Sequence, residues 1–152
     1  MTDVLTPEQR RLNMSRIKGL NTKPEIRLRQ VLHAAGFRFR LHQRTLPGKP
    51  DLVLPKHNVC IFVHGCFWHG HNCPMFKLPS TRRDFWSQKI RGNQTRDVLA
   101  TASLIELGWR VLTVWECSLR GPGRLEEQAI LRYSAAFIQA NDQSGMLTGV
   151  FA

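Results

Sequence analysis

The sequence lacks the features of a membrane or secreted protein. Its longest apolar stretches are interrupted by His, Gly or Arg, so none approaches the ~18 residues that cross a bilayer. The N-terminal MTDVLTPEQRR has no basic, apolar and small-residue order of a secretion signal. Internal repeats and low-complexity tracts are also missing. A chain of 152 residues with 42% hydrophobic content therefore predicts a single folded domain, residues 1–152, without membrane association.

Acidic residues are scarce. The chain has 11 Asp and Glu against 22 Lys and Arg, a net charge of +11. Between Ile26 and Arg83 the only carboxylate is Asp51, whereas the same stretch holds ten Lys or Arg residues. A surface of this kind attracts phosphate and releases counterions, which predicts a nucleic-acid partner. The alternative is an ordinary solvated surface, but such surfaces intersperse both signs of charge.

Cysteine is limited to four residues, and without a signal peptide the reducing cytoplasm is expected, where disulfides are rare. Residues 66–73 read CFWHGHNC, which places two thiols and two imidazoles within eight positions. Zinc prefers four tetrahedral nitrogen or sulfur ligands. The spacing predicts a structural zinc site made of Cys66, His71, Cys73 and Cys117. Cys60 lies in an apolar run and is predicted to be core, and the alternative for all four is simple burial.

Two side chains remain as candidates for chemistry. His69 lies beside the predicted zinc ligands without belonging to them, and a spare imidazole there is a candidate for proton transfer. Asp51 begins a short strand after Pro50 and offers the oxygen ligand that Mg²⁺ prefers. If the next strand pairs with it, the backbone carbonyl near Val63 approaches the same cation. The alternative for Asp51 is a turn residue, since Asp is common in turns.

The periodicity predicts a small sheet flanked by helices, in an α/β or α+β arrangement. Thr22 is a predicted N-cap with Glu25 at capping-box spacing. The C-terminal tail after about residue 141 is predicted to be loose. The expected order is α-α-β-β-β-α-β-α, with helices at about 8–18, 22–36, 81–107 (broken near 92–93) and 124–140, and strands at 37–41, 51–54, 59–63 and 109–115.

Three segments together resemble one family of nucleases: LPGKPD at 46–51, HGCFWHGHNC at 64–73 and WEC at 115–117. They are similar to the very short patch repair (Vsr) DNA mismatch endonucleases, over roughly residues 8–121. The resemblance implies a restriction-endonuclease-like fold, with a central mixed sheet flanked by helices and a structural zinc site. That fold usually carries an acidic-x-Lys motif after the Pro-Asp, whereas this chain has Phe62-Val63-His64.

The resemblance implies a function and a set of roles. Vsr enzymes nick double-stranded DNA on the 5′ side of the thymine in T·G mismatches, which arise by deamination of 5-methylcytosine. Asp51 and the main-chain oxygen of Val63 would hold Mg²⁺. His69 would act as the general base, with His64 and Glu25 supporting it through water. The zinc ligands are the same four that the spacing indicates. The setting would be the bacterial cytoplasm, with a monomeric enzyme and room for contacts with other repair proteins.

Aromatic residues predict how the mismatch is engaged. Phe67 and Trp68 lie between predicted metal ligands, so at least one is expected to face outward and wedge between base pairs. The resemblance adds Trp86 to this wedge and places Met14, on the basic helix at about 8–18, against the minor groove. For Met14, packing within the protein is an equal alternative.

Two other functions compete with mismatch nicking. A zinc-stabilised DNA-binding module without catalysis would need the basic surface and the cysteine cluster, but not Asp51 or His69. A restriction or homing-type nuclease would need the catalytic residues, but not the wedge of Phe67 and Trp68.

Overall fold

The computed structural model describes residues 21–151. The helix predicted at about 8–18, with Met14, lies outside the described residues. Within them, no helix is both long and apolar enough to span a membrane.

A five-stranded mixed sheet forms the centre of the structure, and its strands lie side by side in chain order. The first strand pairs with the second, and the second with the third, in antiparallel orientation. The third strand pairs with the fourth, and the fourth with the fifth, in parallel orientation. The strands are β1 (Arg40–Leu41), β2 (Leu52–Leu54), β3 (Val59–His64), β4 (Arg110–Trp115) and β5 (Ser144–Leu147).

In the part of the chain that the structure describes, four helices accompany the sheet: α1 (Lys23–Ala34), α2 (Arg83–Glu106), the single turn α3 (Glu116–Leu119) and α4 (Glu127–Gln139). A 3₁₀ turn at Pro55–His57 connects β2 to β3, and Asn58 ends it in the left-handed conformation. The structure thus confirms a mixed α/β architecture.

The start of α1 follows the prediction from its sequence. Thr22 is the N-cap, and its hydroxyl accepts a hydrogen bond from the Glu25 backbone N–H at 3.4 Å. The Glu25 carboxylate accepts the N–H of Asn21 at 2.9 Å, one residue before the position that a standard capping box uses. Glu25 is 2% exposed, so the cap also directs a carboxylate into the protein interior.

The sheet is covered on both faces, as the apolar run of β3 predicts. On one face Val59 and Ile61 pack with α1 and α4, in a core that also includes Leu28 and Ile130. On the other face Cys60 and Phe62 pack with Leu104 of α2 and with their sheet neighbours. Cys60 is fully buried, which confirms it as a core residue.

Three segments differ from the sequence-based expectation. The strand predicted at 37–41 contains only Arg40–Leu41, because Phe37 and Phe39 pack against the core without joining the ladder. Helix α2 continues through Gly92 without a break, since one glycine costs a helix only about 1 kcal/mol. The tail predicted to be loose forms β5, whose Leu147 is 3% exposed.

Candidate active site and metal-binding cluster

The start of β2 and the end of β3 bring Asp51 and Val63 together. The Asp51 backbone N–H donates to the Ile61 carbonyl at 3.0 Å, which continues the antiparallel pairing by one residue. The Val63 N–H then donates to Asp51 Oδ2 at 2.7 Å. One carboxylate oxygen is therefore fixed by the sheet, and Oδ1 is the oxygen left for another partner.

A second group of polar side chains lies behind Asp51. Glu25 of α1 forms an ion pair with Arg29, one helical turn further on. His42, in the loop between β1 and β2, lies 3.4 Å from the Glu25 carboxylate and 4.0 Å from Asp51 Oδ1. Glu25, which the sequence predicts to support the site, thus lies close to Asp51, and the His42 imidazole lies within 4.0 Å of both carboxyl groups.

Burial changes the electrostatics of Asp51. Removal from water raises its pKa to about 8, and the neighbouring Glu25 carboxyl raises it as well. The Val63 N–H and the Arg29 guanidinium act in the opposite direction. Without a divalent cation the folded protein therefore favours a protonated Asp51 at neutral pH, and cation binding has to displace that proton.

Two histidines lie stacked on the other side of the same cleft. The rings of His64 and His69 are 3.8 Å apart and nearly parallel, at 4°. His69 Nδ1 lies 2.6 Å from Asp97 Oδ2, on α2. A carboxylate oxygen only accepts, so Nδ1 carries a proton, and in the neutral ring Nε2 is left as a base. Burial and the adjacent His69 lower the pKa of His64 to about 4, so His64 is neutral at neutral pH.

A cleft of about 390 Å³ connects the two halves of this arrangement. Asp51, Val63, His64, His69 and Asp97 all line it. Its wall also includes two cationic side chains, Lys49 from the loop before β2 and Arg96 from α2. A carboxylate, a carboxylate-linked imidazole and flanking cations are the groups that phosphodiester hydrolysis requires.

The four cysteine and histidine side chains predicted to bind zinc form a compact cluster. The ligand atoms of Cys66, His71, Cys73 and Cys117 all lie within 4.8 Å of one another. His71 Nδ1 is 3.6 Å from the sulfur of Cys66 and 3.6 Å from that of Cys117. Tetrahedral zinc, with bonds of about 2.3 Å to sulfur and 2.0 Å to nitrogen, places these atoms about 3.6 Å apart. The cluster can therefore hold a tetrahedral metal ion.

The protonation of this cluster also fits a metal site. Burial raises the pKa of the Cys66 and Cys117 thiols, so neither is a stable thiolate without a cation. Burial lowers the pKa of His71, which keeps its imidazole neutral and able to coordinate. The Gly149 N–H lies 3.2 Å from the Cys117 sulfur and can stabilise a thiolate there.

The predicted wedge residues form one aromatic group. Phe67, Trp68 and Trp86 contact one another with ring centroids 5.2 to 5.8 Å apart. All three are partly exposed, and their rings meet edge to face. Asn93 of α2 donates to the Trp68 carbonyl at 2.8 Å and ties the loop to the helix. The loop that carries the aromatics is thereby held beside the cleft lined by Asp51 and His69.

Sequence reasoning assigned Asp97 no role, leaving open a contact with the site or a surface position, and it missed His42 and Arg29. Asp97 lies in the middle of a helix with many charged residues, 28 positions from His69, and nothing local distinguishes it. His42 and Arg29 reach Asp51 only because α1 and the loop after β1 pack together. The available signal is chemical and general: a histidine that acts as a base commonly has a carboxylate partner, which directs the search to the Asp and Glu residues without selecting Asp97 among them.

Comparison with known proteins gives relatives for almost the whole chain. A profile of the family described as DNA mismatch endonuclease Vsr matches residues 2–75. The DNA mismatch endonuclease Vsr of Escherichia coli (strain K12) is 46% identical over 130 residues, which cover 86% of this chain and 83% of the relative. The type II nicking enzyme V.XorIIP of Xanthomonas oryzae pv. oryzae is 51% identical over 126 residues, 83% of this chain and 93% of the relative. The type II nicking enzyme V.NmeAIP of Neisseria meningitidis is 40% identical over 128 residues, 84% and 91% of the two chains.

The raised pKa of Asp51 predicts a pH-dependent stability. A carboxyl group with a higher pKa in the folded state stabilises that state while protonated, and this contribution declines as pH rises from about 4 to about 8. In buffers without magnesium, Asp51→Asn should unfold at a higher denaturant concentration than the natural protein. The free energy of unfolding of Asp51→Asn should exceed that of the natural protein by a margin that grows by up to about 1.4 kcal/mol per pH unit between pH 4 and pH 8.

Urea unfolding at several pH values measures the difference, with Asp142→Asn as an exposed control. If the difference in unfolding free energy between Asp51→Asn and the natural protein stays constant from pH 5 to pH 8, the raised pKa of Asp51 is contradicted.

Proposed function

This chain belongs to the Vsr family of DNA mismatch endonucleases, and on that premise we propose that it nicks double-stranded DNA on the 5′ side of the thymine in T·G mismatches. Such mismatches arise by deamination of 5-methylcytosine, so the reaction would begin very short patch repair. The observation that carries the proposal is one cleft lined by both Asp51 and the His69–Asp97 pair. The mixed sheet and flanking helices support a restriction-endonuclease-like fold.

Asp51 and the Val63 carbonyl are the proposed magnesium ligands. Asp51 Oδ2 accepts the Val63 N–H, which leaves Oδ1 for a hard cation, and both residues line the cleft. When bound, magnesium would neutralise charge on the scissile phosphate and lower the pKa of a water molecule. Lys49 and Arg96, which line the same cleft, would attract and orient the DNA backbone.

His69 is the proposed general base. Its Nδ1 proton is directed to Asp97, so Nε2 is free to accept a proton from water. Asp97 would fix the ring orientation and stabilise the imidazolium that forms. His64, which stacks on His69, stays neutral and therefore does not repel that developing charge. Together with Glu25 it would support the site through water.

Zinc is the proposed occupant of the cluster formed by Cys66, His71, Cys73 and Cys117. His69 lies between two of these ligands in sequence, so the metal would fix the loop that carries the proposed base. The His71 ring also stacks on Trp115, at 4.1 Å and 10°, which joins the metal cluster to the end of β4. The zinc site would thus set the geometry of the active site from outside it.

Phe67, Trp68 and Trp86 are the proposed wedge. Their mutual edge-to-face contacts make a rigid partly exposed group that can enter a weakened base step and stack on its bases. A mismatch costs less to open than a matched pair, so insertion itself would favour damaged DNA. Met14, outside the described residues, is proposed to approach from the minor groove.

The bacterial relatives support activity in the bacterial cytoplasm, where other repair proteins could act on the nicked product. A monomer suits this function, because a T·G mismatch is asymmetric and requires no symmetric partner subunit.

A nicking assay tests the function directly. In the presence of magnesium, a duplex with a T·G mismatch should be cut in one strand, and matched C·G and T·A duplexes should remain intact. Asp51→Asn should reduce cutting at least about 100-fold while DNA affinity changes little, because the residue acts on the cation and not on DNA binding. Asp142→Asn is the matched control.

The competing functions predict other results in this assay. Equal cutting of all three duplexes would indicate a general nuclease, and binding without any cutting would indicate a DNA-binding module. A loss of DNA binding in Asp51→Asn would contradict the proposed role of Asp51.

Removal of one zinc ligand should destabilise the protein. Cys73→Ser should lose zinc, as measured by elemental analysis, and should unfold at a lower temperature, because metal-binding free energy contributes to folding. Cys60→Ser is the control, since it alters a buried cysteine outside the cluster and should keep the metal. Full zinc occupancy with an unchanged melting temperature in Cys73→Ser would overturn the assignment.

Removal of one wedge residue should reduce the preference of the protein for mismatched over matched DNA. Trp68→Ala should lower affinity for T·G DNA more than affinity for matched DNA, because stacking is gained only where the step opens. Fluorescence anisotropy with both duplexes measures the ratio, and Tyr133→Ala removes an aromatic side chain that is 62% exposed on α4 as a control. Equal losses on both duplexes would argue against intercalation.

A further inference from the structure

Glu25, His42 and Asp51 have the arrangement of a metal site. Their ligand atoms all lie within 4.8 Å of one another, and Glu25 is almost fully buried. A cation is already present there, because Arg29 Nη2 forms the ion pair with Glu25 and lies 2.9 Å from His42 Nε2. The positive charge that two adjacent carboxylates need is therefore supplied in part by the protein itself.

The arginine determines the tautomer of His42. A guanidinium has only donors, so His42 Nε2 must accept, and the proton of the neutral ring lies on Nδ1. Among residues 21–151, Nδ1 is buried without a hydrogen-bond partner, and Asp51 Oδ1 lies 4.0 Å from it. The imidazole thus lies between the arginine and the Asp51 oxygen that does not accept the Val63 N–H.

The fold holds His42 in place at a conformational cost. Its backbone has φ of 49°, in the left-handed region that side chains other than glycine rarely adopt. The His42 N–H donates to the Asp51 carbonyl at 3.1 Å, which locks the loop onto the start of β2. An energetically unfavourable backbone is retained where it places an imidazole between Glu25 and Asp51.

We propose that the Arg29 guanidinium is a built-in cation, which occupies a second metal-like site formed by Glu25, His42 and Asp51 beside the magnesium at Asp51. This inference rests on the proposed role of Asp51 as a magnesium ligand. Arg29 is a positioning residue, since its guanidinium contacts Glu25 and His42 and its side chain does not line the cleft. Its fixed charge balances the two carboxylates and excludes a divalent ion from the second position.

The proposal predicts that removing the guanidinium opens a divalent-metal site. Mn²⁺ binding to the full-length, zinc-loaded protein is counted by electron paramagnetic resonance without DNA. Arg29→Met should bind one Mn²⁺ per chain more than the natural protein, because Glu25, His42 and Asp51 become free to coordinate. Arg29→Gln is a second variant whose amide can still hydrogen-bond with Glu25, and the same extra ion is expected.

Matched variants separate a site from a general change in charge. Arg38→Met removes the same charge from an exposed residue whose side chain hydrogen-bonds with the backbone carbonyls of His33 and Phe37, and should bind no extra Mn²⁺. Arg29→Lys retains a cation at this position and should therefore bind no extra Mn²⁺. Adding Glu25→Gln to Arg29→Met removes one ligand and should abolish the extra ion. Circular dichroism verifies that each variant is folded.

The proposal is overturned if folded Arg29→Met and Arg29→Gln bind the same number of Mn²⁺ ions as the natural protein, or if Arg38→Met gains an ion as well.

The nicking rate is a second measurement of the same proposal. At limiting magnesium, Arg29→Met should nick T·G DNA about 10- to 100-fold more slowly, as is typical when a partner of a metal ligand is lost. Nicking by the natural protein tests the proposed function separately, because the Mn²⁺ count requires no cleavage.

Discussion

The hydrogen bond from the Val63 N–H to the Asp51 carboxylate is the contact on which the site depends. It exists because β2 and β3 pair in antiparallel register, with Leu52 opposite Ile61. A shift by one residue would turn Asp51 to the other face of the sheet and separate it from the cleft. Burial of β3 on both faces makes that register costly to change, since Cys60 and Ile61 occupy different cores. The geometry of the candidate site is therefore fixed by the packing of the core.

The same packing places two acidic side chains next to each other in the protein interior. Asp51 and Glu25 lie close together away from water, and the pKa of Asp51 is raised as a result. The structure provides positive partners from several elements: Arg29 from α1, and Lys49 and Arg96 at the cleft. The histidines are held neutral by burial or are directed toward Asp97. These charges suit the binding of a divalent cation and of a phosphate, which a DNA endonuclease brings together.

The cysteine-rich loop serves the same cleft from another direction. It leaves β3 after His64 and reaches Cys73 within nine residues, and its candidate metal ligands Cys66 and His71 flank the run Phe67-Trp68-His69. Cys117, at the start of α3, joins the loop to the end of β4. Because β3 and β4 are parallel, their C-terminal ends meet at one edge of the sheet. The metal cluster, the proposed base and the aromatic group thus occupy neighbouring positions on one edge.

The local sequence alone determined several parts of the candidate site and of the fold. The two thiols and two imidazoles within residues 66–73 indicate the metal-binding cluster, and the isolation of Asp51 among basic residues marks it as unusual. The apolar run of β3 and the cap of α1 were also predictable, because a few adjacent side chains decide each of them.

Only the tertiary structure decided which distant groups meet. Asp97, Arg29 and His42 acquire their neighbours from helix and loop packing, which leaves no periodic signal in the sequence. Strand β5 depends on the edge of β4 for its backbone hydrogen bonds, so its polar segment resembles a loose tail until that edge is present. Metal ligands close together in sequence reveal a site early, whereas hydrogen bonds and charges that act across the fold appear only when the core has brought them into contact.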